Sequence, residues 1–426
     1  MRQAELFRWG AILIIGVVGA ALPIPATAAQ GVAEGKKLRV LLTVDDSHGW
    51  AAKEPIFTEC LKQAGSFEVI RSGDLNEWLP DRIRRYDLVL IHTTGGELSD
   101  AQADGLNAFV EAGGGVVGVH SATDSFRKNE KYLALIGGRF VGHNHGKFTV
   151  EVIDPWHPIL VGIGDFEIED EDYRHEIHPD ANLHVLARKK GDDRPMAWTR
   201  KIGKGRLVYL ANGHDETAFK VPAFQRMLIN AMYWAARRGV PGSGYVTLFD
   251  GTDLTQWAPA PGQKSWAIED GLLVNKRVAN RAEAGSLPSA QVYDDFVIRL
   301  DWKVEPGGNS GLYIRETTEI QILDDYAERY ANIKPCQHAG SVYCQIPSKP
   351  GALRKAGDWN EMQVLARGKK VQVWLNGQMV VDGSFDDTPE LKTRPARGRV
   401  ILQYHGGGLW FRDIEIKPLL PEGKAR

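Results

Sequence analysis

The chain has 426 residues, enough for two or three domains. Hydrophobic residues make up 43% and charged residues 25%, which excludes wholesale disorder, a collagen-like chain and a polytopic membrane protein. Lys+Arg total 52 against Asp+Glu 54, a net charge of −2, so no basic excess is present to neutralise a nucleic-acid backbone.

Residues 1–28 have the pattern of an export signal. Arg2 and Arg8 precede an apolar run from Trp9 to Leu22, and Ala26-Thr27-Ala28 offers a small-residue cleavage site. The run is short of the length needed to span a bilayer, so the expectation is a periplasmic or extracellular protein with no membrane span after cleavage; the rival reading is an uncleaved anchor. Three cysteines, Cys60, Cys336 and Cys344, are too few for a disulfide scaffold; Cys336 and Cys344 could pair or stay free.

From 37 to 238 strand and helix patterns alternate. Residues 38–44 are a continuous apolar run, as in a strand buried on both faces. A helix is predicted over 54–64, and strands over 67–71 and 87–92. Ser99 caps a predicted helix to 111, and 114–119 is another buried strand. A late strand at 207–210 and an amphipathic helix over 222–237 close the region. This alternation predicts an α/β domain with a mainly parallel sheet covered by helices on both faces.

Residues 239–244 read as a linker. From 245 to 418 short alternating strands dominate. Phe296, Ile298, Leu300 and Trp302 share one face, with Asp295, Arg299, Asp301 and Lys303 on the other. Strands are predicted at 362–365 and 371–375. Asn376-Gly377 signals a hairpin into 378–381, and 400–405 and 409–416 end the pattern. An all-β sandwich or jelly roll follows.

In the first region, Gly118-Val119-His120-Ser121-Ala122 follows a buried strand with the spacing of a nucleophile elbow, which would lift His120 above the sheet edge. His48, His143 and His214 also follow strand-like or loop stretches on the expected ligand-binding edge. His48, His120, His143 and His214 are therefore candidate ligands for one divalent metal ion. His157, His175, His178 and His184 read as surface or loop residues. In the second region, alternation puts Tyr313 with Arg315, Glu319 with Gln321, and Gln403 with His405. A face lined by these side chains, with Asn309 at its rim, has the ingredients of a carbohydrate cleft. Asp324 ends a strand, where a turn role and a catalytic one both fit.

The first region resembles the ThuA-like (trehalose-utilisation) family, which is related to class I glutamine amidotransferases. The matching stretches are Gly115-Val116-Val117-Gly118-Val119-His120-Ser121-Ala122, Gly138-Arg139-Phe140-Val141-Gly142-His143, His157-Pro158-Ile159, and Gly203-Lys204-Gly205-Arg206-Leu207-Val208-Tyr209 leading to Gly213-His214-Asp215-Glu216. The resemblance implies a flavodoxin-like fold. Amidotransferases carry a cysteine at the elbow and this chain carries His120, so glutamine amidotransferase activity is rejected.

The second region is similar to the 3-keto-disaccharide hydrolase family. It shares Leu248-Phe249-Asp250-Gly251-Thr252-Asp253-Leu254 with Trp257, Gly308-Asn309-Ser310-Gly311-Leu312-Tyr313-Ile314-Arg315, Glu319-Ile320-Gln321-Ile322-Leu323-Asp324, Trp374-Leu375-Asn376-Gly377 and Leu402-Gln403-Tyr404-His405-Gly406. That resemblance implies a concanavalin-like jelly roll and cleavage of 3-keto-glycosides by C2 deprotonation, elimination of the C1 substituent and hydration. On this chemistry Glu319 or His405 is the base, Arg315 and Gln321 hold the enolate oxygen, and Asp324 orients its neighbours or helps bind a metal. Asn309, Tyr313 and Gln403 contact a small-molecule or oligosaccharide substrate. The alternative is a non-catalytic carbohydrate-binding protein with a vestigial amidotransferase-like domain.

Overall fold

The structure is a computed structural model that describes residues 37–45 and 49–420. The signal-like segment 1–28 and His48 lie outside the described residues. Among the described residues no helix is long and apolar enough to cross a membrane.

The first domain contains β1 (Leu38–Val44), β2 (Phe67–Ser72), β3 (Leu88–His92), β4 (Gly115–Val119), β5 (Gly138–Gly142), β6 (His145–Val152), β7 (Phe166–Glu171), β8 (Arg174–Ile177), β9 (His184–Lys189), β10 (Pro195–Ile202) and β11 (Gly205–Leu210). Nine of them form one sheet in the order β2-β1-β3-β4-β11-β10-β9-β6-β7, and β5 pairs with β8 apart from it. The first five are parallel. Every residue of β3 and β4 is buried, which is why these strands read as unbroken apolar runs. Helices Trp50–Ala64, Asp100–Glu111 and Pro222–Ala235 pack against the sheet.

Helix Asp100–Glu111 starts where Ser99 predicts. Ser99 Oγ accepts from Gln102 N, and the Gln102 side chain accepts from Ser99 N. This reciprocal box satisfies two otherwise orphan amides and stabilises the start by about 1 kcal/mol. Helix Trp50–Ala64 begins four residues earlier than periodicity indicates. Gly49 turns the chain with φ 60°, and Trp50 is fully buried at the new start. The parallel strands are continued by the antiparallel β10, β9, β6 and β7. β6 and β7 are mostly half-buried or exposed, so their residues lack the apolar runs that mark β1, β3 and β4.

The second domain contains β12 (Val246–Phe249), β13 (Trp266–Glu269), β14 (Leu272–Asn275), β15 (Leu287–Pro288), β16 (Phe296–Val304), β17 (Asn309–Ile314), β18 (Thr318–Leu323), β19 (Asn360–Arg367), β20 (Lys370–Leu375), β21 (Gln378–Ser384), β22 (Ile401–Leu402) and β23 (Leu409–Pro418). One sheet runs β13-β14-β23-β16-β19-β20-β21, with β12 also on β23; the other runs β15-β22-β17-β18. Phe296, Ile298, Leu300 and Trp302 of the first sheet meet Leu312, Ile314, Ile320 and Ile322 of the second in one core, making an all-β sandwich. Asn376 and Gly377 both have positive φ, 52° and 79°, as the tight β20–β21 hairpin requires.

The other face of β16 is not solvated. Arg299 is 3% exposed and Asp301 2%, because this face of the sandwich docks on the first domain. Val297, Leu365 and Trp374 pack there with Trp156, Tyr245 and Leu419. Lys201 Nζ bonds Asp301 at 2.6 Å, Gln363 Nε2 donates to Asp154 at 3.0 Å, and Arg299 bonds Glu361 at 2.6 Å. The polar face of β16 is thus an inter-domain seam.

Two histidines read as surface or loop residues are buried at this seam. His157 is fully buried, and its Nδ1 accepts from Ile159 N. His184 lies between Asp154, at 3.0 Å, and Glu361, at 3.2 Å. Burial opposes a charge on His184, but Glu361 and Asp154 outweigh it and raise its pKa to about 9. The unfolded value is about 6.5. The stabilisation is therefore complete below about pH 6.5 and is lost as pH rises through about 9. The melting temperature is expected to fall across that window, and His184→Gln to flatten the fall. A parental slope in that variant would assign the dependence to other groups.

Candidate functional site

In the first domain, side chains converge behind the carboxyl end of β4. His120 follows that strand in the left-handed region, φ 47°, a conformation that non-glycine residues adopt mainly where surroundings over-determine it. It is fully buried, 4.1 Å from the Tyr173 ring. Its Nδ1 lies 3.0 Å from Ala211 O, and a proton on Nδ1 donated to that carbonyl leaves the Nε2 lone pair pointing the other way.

On that side lie His214 Nδ1 at 3.2 Å and Glu171 Oε2 at 3.4 Å, with 3.3 Å between Glu171 Oε2 and His214 Nδ1. Tetrahedral bonds of about 2.0–2.1 Å to nitrogen and oxygen need ligand atoms about 3.3–3.4 Å apart. The three atoms already stand at the edges of such a polyhedron, and the set could hold a metal ion. Burial pushes the Glu171 carboxyl up, but its hydrogen bond to His120 and the nearby His120, His214 and His143 hold it below the usual range.

Asp170 fixes the loop that carries His214. Its oxygens accept from Asn212 Nδ2, Gly213 N and His214 N. Lys53 lies beneath, fully buried, and donates to His214 O at 2.6 Å. Burial lowers its pKa to about 8 against the pull of Asp170, Asp215, Glu171 and Asp45.

In the second domain, the outer face of β15-β22-β17-β18 carries a polar cluster. The register sets Gly311 opposite Gln321 and Tyr313 opposite Glu319, and Gln403 N donates to Gly311 O. Gln403 Nε2 donates to Tyr313 Oη at 3.0 Å, and Tyr313 Oη donates to Glu319 Oε2 at 3.1 Å. Glu319 reaches over Gly311, where a Cβ would collide with its Oε1 and Cγ. Burial raises the Glu319 pKa, with Tyr313, His405 and Gln403 acting the other way. The side-chain amide oxygens of Gln321 and Gln403 are buried without a hydrogen-bond partner, a cost of about 1–3 kcal/mol each. An acidic group flanked by unsatisfied amides can accept a proton and bind hydroxyls.

Residues 39–235 match the family model described as "Trehalose utilisation", and residues 244–417 match that of the "3-keto-alpha-glucoside-1,2-lyase-like domain". The chain joins a ThuA domain to a 3-keto-glucoside-lyase-like domain. A 3-keto-disaccharide hydrolase of Bacteroides thetaiotaomicron is 25% identical over 232 residues, covering 42% of this chain and 80% of that protein. A solved glycosyl-hydrolase-like protein of Parabacteroides distasonis is 26% identical over 42% of this chain and 95% of its own, with TM-score 0.37. A solved ThuA-like protein of Parabacteroides merdae is 22% identical over 48% of this chain and 92% of its own, with TM-score 0.43.

In the ThuA domain, His120 and His214 come together as read from the sequence. His143 Nδ1 stands 3.5 Å from the other Glu171 oxygen, at the margin of the set, and is 39% exposed. His175 is another correction. Its Nε2 lies 3.1 Å from Tyr209 Oη, and burial holds its pKa near 3. Glu171 escaped sequence reading because it sits in the acidic run Glu167–Asp172, which looks solvated; the one available signal is that this run ends a strand.

In the lyase-like domain, Glu319, Gln321, Tyr313, Gln403 and Asn309 share the outer face, and the charge of His405 acts on Glu319 from the exposed rim. Arg315 does not join them. β17 ends at Ile314, and Arg315 and Glu316 turn with φ 49° and 69°, which breaks the alternation. The buried Arg315 guanidinium donates instead to Asp294 O, Gly368 O and Asp295 Oδ1. Asp324 is also spent on structure: Oδ2 accepts from Gly307 N and Oδ1 from Tyr326 N. Cys336 and Cys344 are free thiols.

Proposed function

We propose that the second domain cleaves 3-keto-glycosides on the outer face of its four-stranded sheet. The observation that carries this reading is the Glu319 carboxylate, held by the Tyr313–Gln403 chain beside buried amide oxygens that lack partners. A ketone at C3 acidifies the C2 proton. Glu319 takes that proton, and the electron pair moves into an enolate whose oxygen is met by the Gln321 amide. Collapse of the enolate forms a C1–C2 double bond and breaks the C1–O bond. His405 delivers a proton to the departing oxygen, and water then adds at C1, so the sum is hydrolysis. With Arg315 turned away, the oxyanion is met by neutral donors, and the Tyr313 hydroxyl serves to orient Glu319. Asn309 and Gln403 contact substrate hydroxyls.

The first domain, in this reading, holds one divalent cation at His120, Glu171 and His214, which when bound supplies a Lewis acid. It is a separate site, because the sandwich presents one outer face to the first domain and the opposite one to substrate. The parallel order β2-β1-β3-β4-β11 supports a flavodoxin-like assignment, and the two facing sheets support a concanavalin-like jelly roll. Export through residues 1–28 belongs to the same proposal.

The test is incubation of the full chain with a 3-keto-glucoside and with the unoxidised glucoside, following released aglycone. Release from the keto compound alone is expected. Binding without release would leave a carbohydrate-binding module.

A further inference from the structure

The seam between the domains holds a cavity of about 270 Å³, lined from one side by β10 and from the other by the segment 354–361 and β23. Its charges are unevenly paired. Lys201 and Arg412 share Asp301, at 2.6 and 3.0 Å, while Glu361 is engaged by Arg299 and His184. Two further cations line the same space with Asp358, Arg200 from the first domain and Arg354 from the second. Neither has a carboxylate within ion-pair distance among the described residues. Arg200 Nη1 donates to the carbonyls of Ala134 and Leu135, and Arg354 Nη1 to that of Trp359. A guanidinium has further donors, and among the described residues the Nε and Nη2 atoms of both are uncommitted.

Two half-buried arginines across a seam repel one another. Burial, and then the charge of Arg354, hold the Arg200 pKa down to about 10 against the pull of Asp180, and burial holds that of Arg354 down against Glu361, Asp301 and Asp358. Charges of one sign withdrawn from water are costly unless a counter-charge completes them. The planar fork of each guanidinium matches a carboxylate or phosphate better than any neutral group. Trp359, already under the Arg412 guanidinium at 4.2 Å, supplies an apolar wall.

We infer that this seam binds a small oxyanion, the phosphate or carboxylate group of a small molecule, between Arg200 and Arg354. Such a ligand would touch both domains at once and tie their docking to its concentration. It lies apart from the Glu319 face and from the His120 cluster, so it does not depend on the reaction proposed above.

The full chain is titrated calorimetrically with inorganic phosphate and with glucuronate, at constant ionic strength set by chloride, with glucose as the neutral control. Saturable binding of one oxyanion near one per chain is expected, with at least a tenfold loss in Arg354→Met. Phosphate alone binding assigns a phosphate ligand, and glucuronate alone a carboxylate ligand. Arg354→Lys keeps the charge and removes the fork, so it serves if the methionine variant does not fold, and a similar loss is expected. No saturable binding of either anion, or undiminished binding in a folded Arg354 variant, overturns the inference.

Discussion

Glu319→Gln is expected to lower kcat on a 3-keto-glycoside by about 10²–10⁴-fold, the range typical of losing a positioned general base. The substitution preserves shape and the capacity to accept from Tyr313 Oη, which now bonds Glu319 Oε2 at 3.1 Å. The dissociation constant of an unreactive, unoxidised glycoside should therefore move by no more than about twofold while turnover collapses. A second signature comes from the pH profile. Burial raises the Glu319 pKa, and a base works only when ionised. kcat/KM should fall as pH drops through that raised value, at a higher pH than an exposed glutamate would give. Full activity in Glu319→Gln removes this residue from the mechanism and leaves His405 as the base.

Glu171→Gln is the second large effect. The carboxylate contributes one vertex of a three-atom set whose edges are 3.2, 3.3 and 3.4 Å, and it is the one ligand that brings a negative charge. Its loss is expected to weaken divalent-cation binding by about 100-fold or more, read by elemental analysis after dialysis against a metal buffer. His143→Ala should leave stoichiometry unchanged, since His143 sits outside the set. If the parent retains no divalent cation after zinc, manganese or cobalt loading, the cluster is a hydrogen-bonded His–Glu group and the metal reading is withdrawn. Circular dichroism on Glu171→Gln separates loss of metal from loss of fold.

How far the residues alone lead is clearest where a pattern meets a break in it. The buried strands β1, β3 and β4 are legible because helices cover both faces and every position must be apolar. Ser99 and Asn376-Gly377 are legible because capping and a two-residue hairpin impose local demands that few side chains meet. Tyr313, Glu319, Gln321 and Gln403 fall on one face because the strand period of two is reliable within a strand. Arg315 is misread for the same reason. Period two ends at Ile314, and a pair of left-handed residues swings the next side chain to the opposite side. A turn with non-glycine residues in that conformation leaves no mark in composition.

Residue type and spacing alone determined the two-domain plan, the α/β and all-β characters of its halves, and the polar face of the second. These rest on local physics: side-chain periodicity, caps and tight turns. The tertiary structure decided what lies against what. It brought Glu171 to His120 and His214 from 51 and 43 residues away, buried the Arg299–Asp301 face against a second domain, and turned His184 from an apparent surface residue into a charged member of that seam. Burial and charge pairing between distant segments set those roles, and neither is a property of a residue's neighbours in the chain.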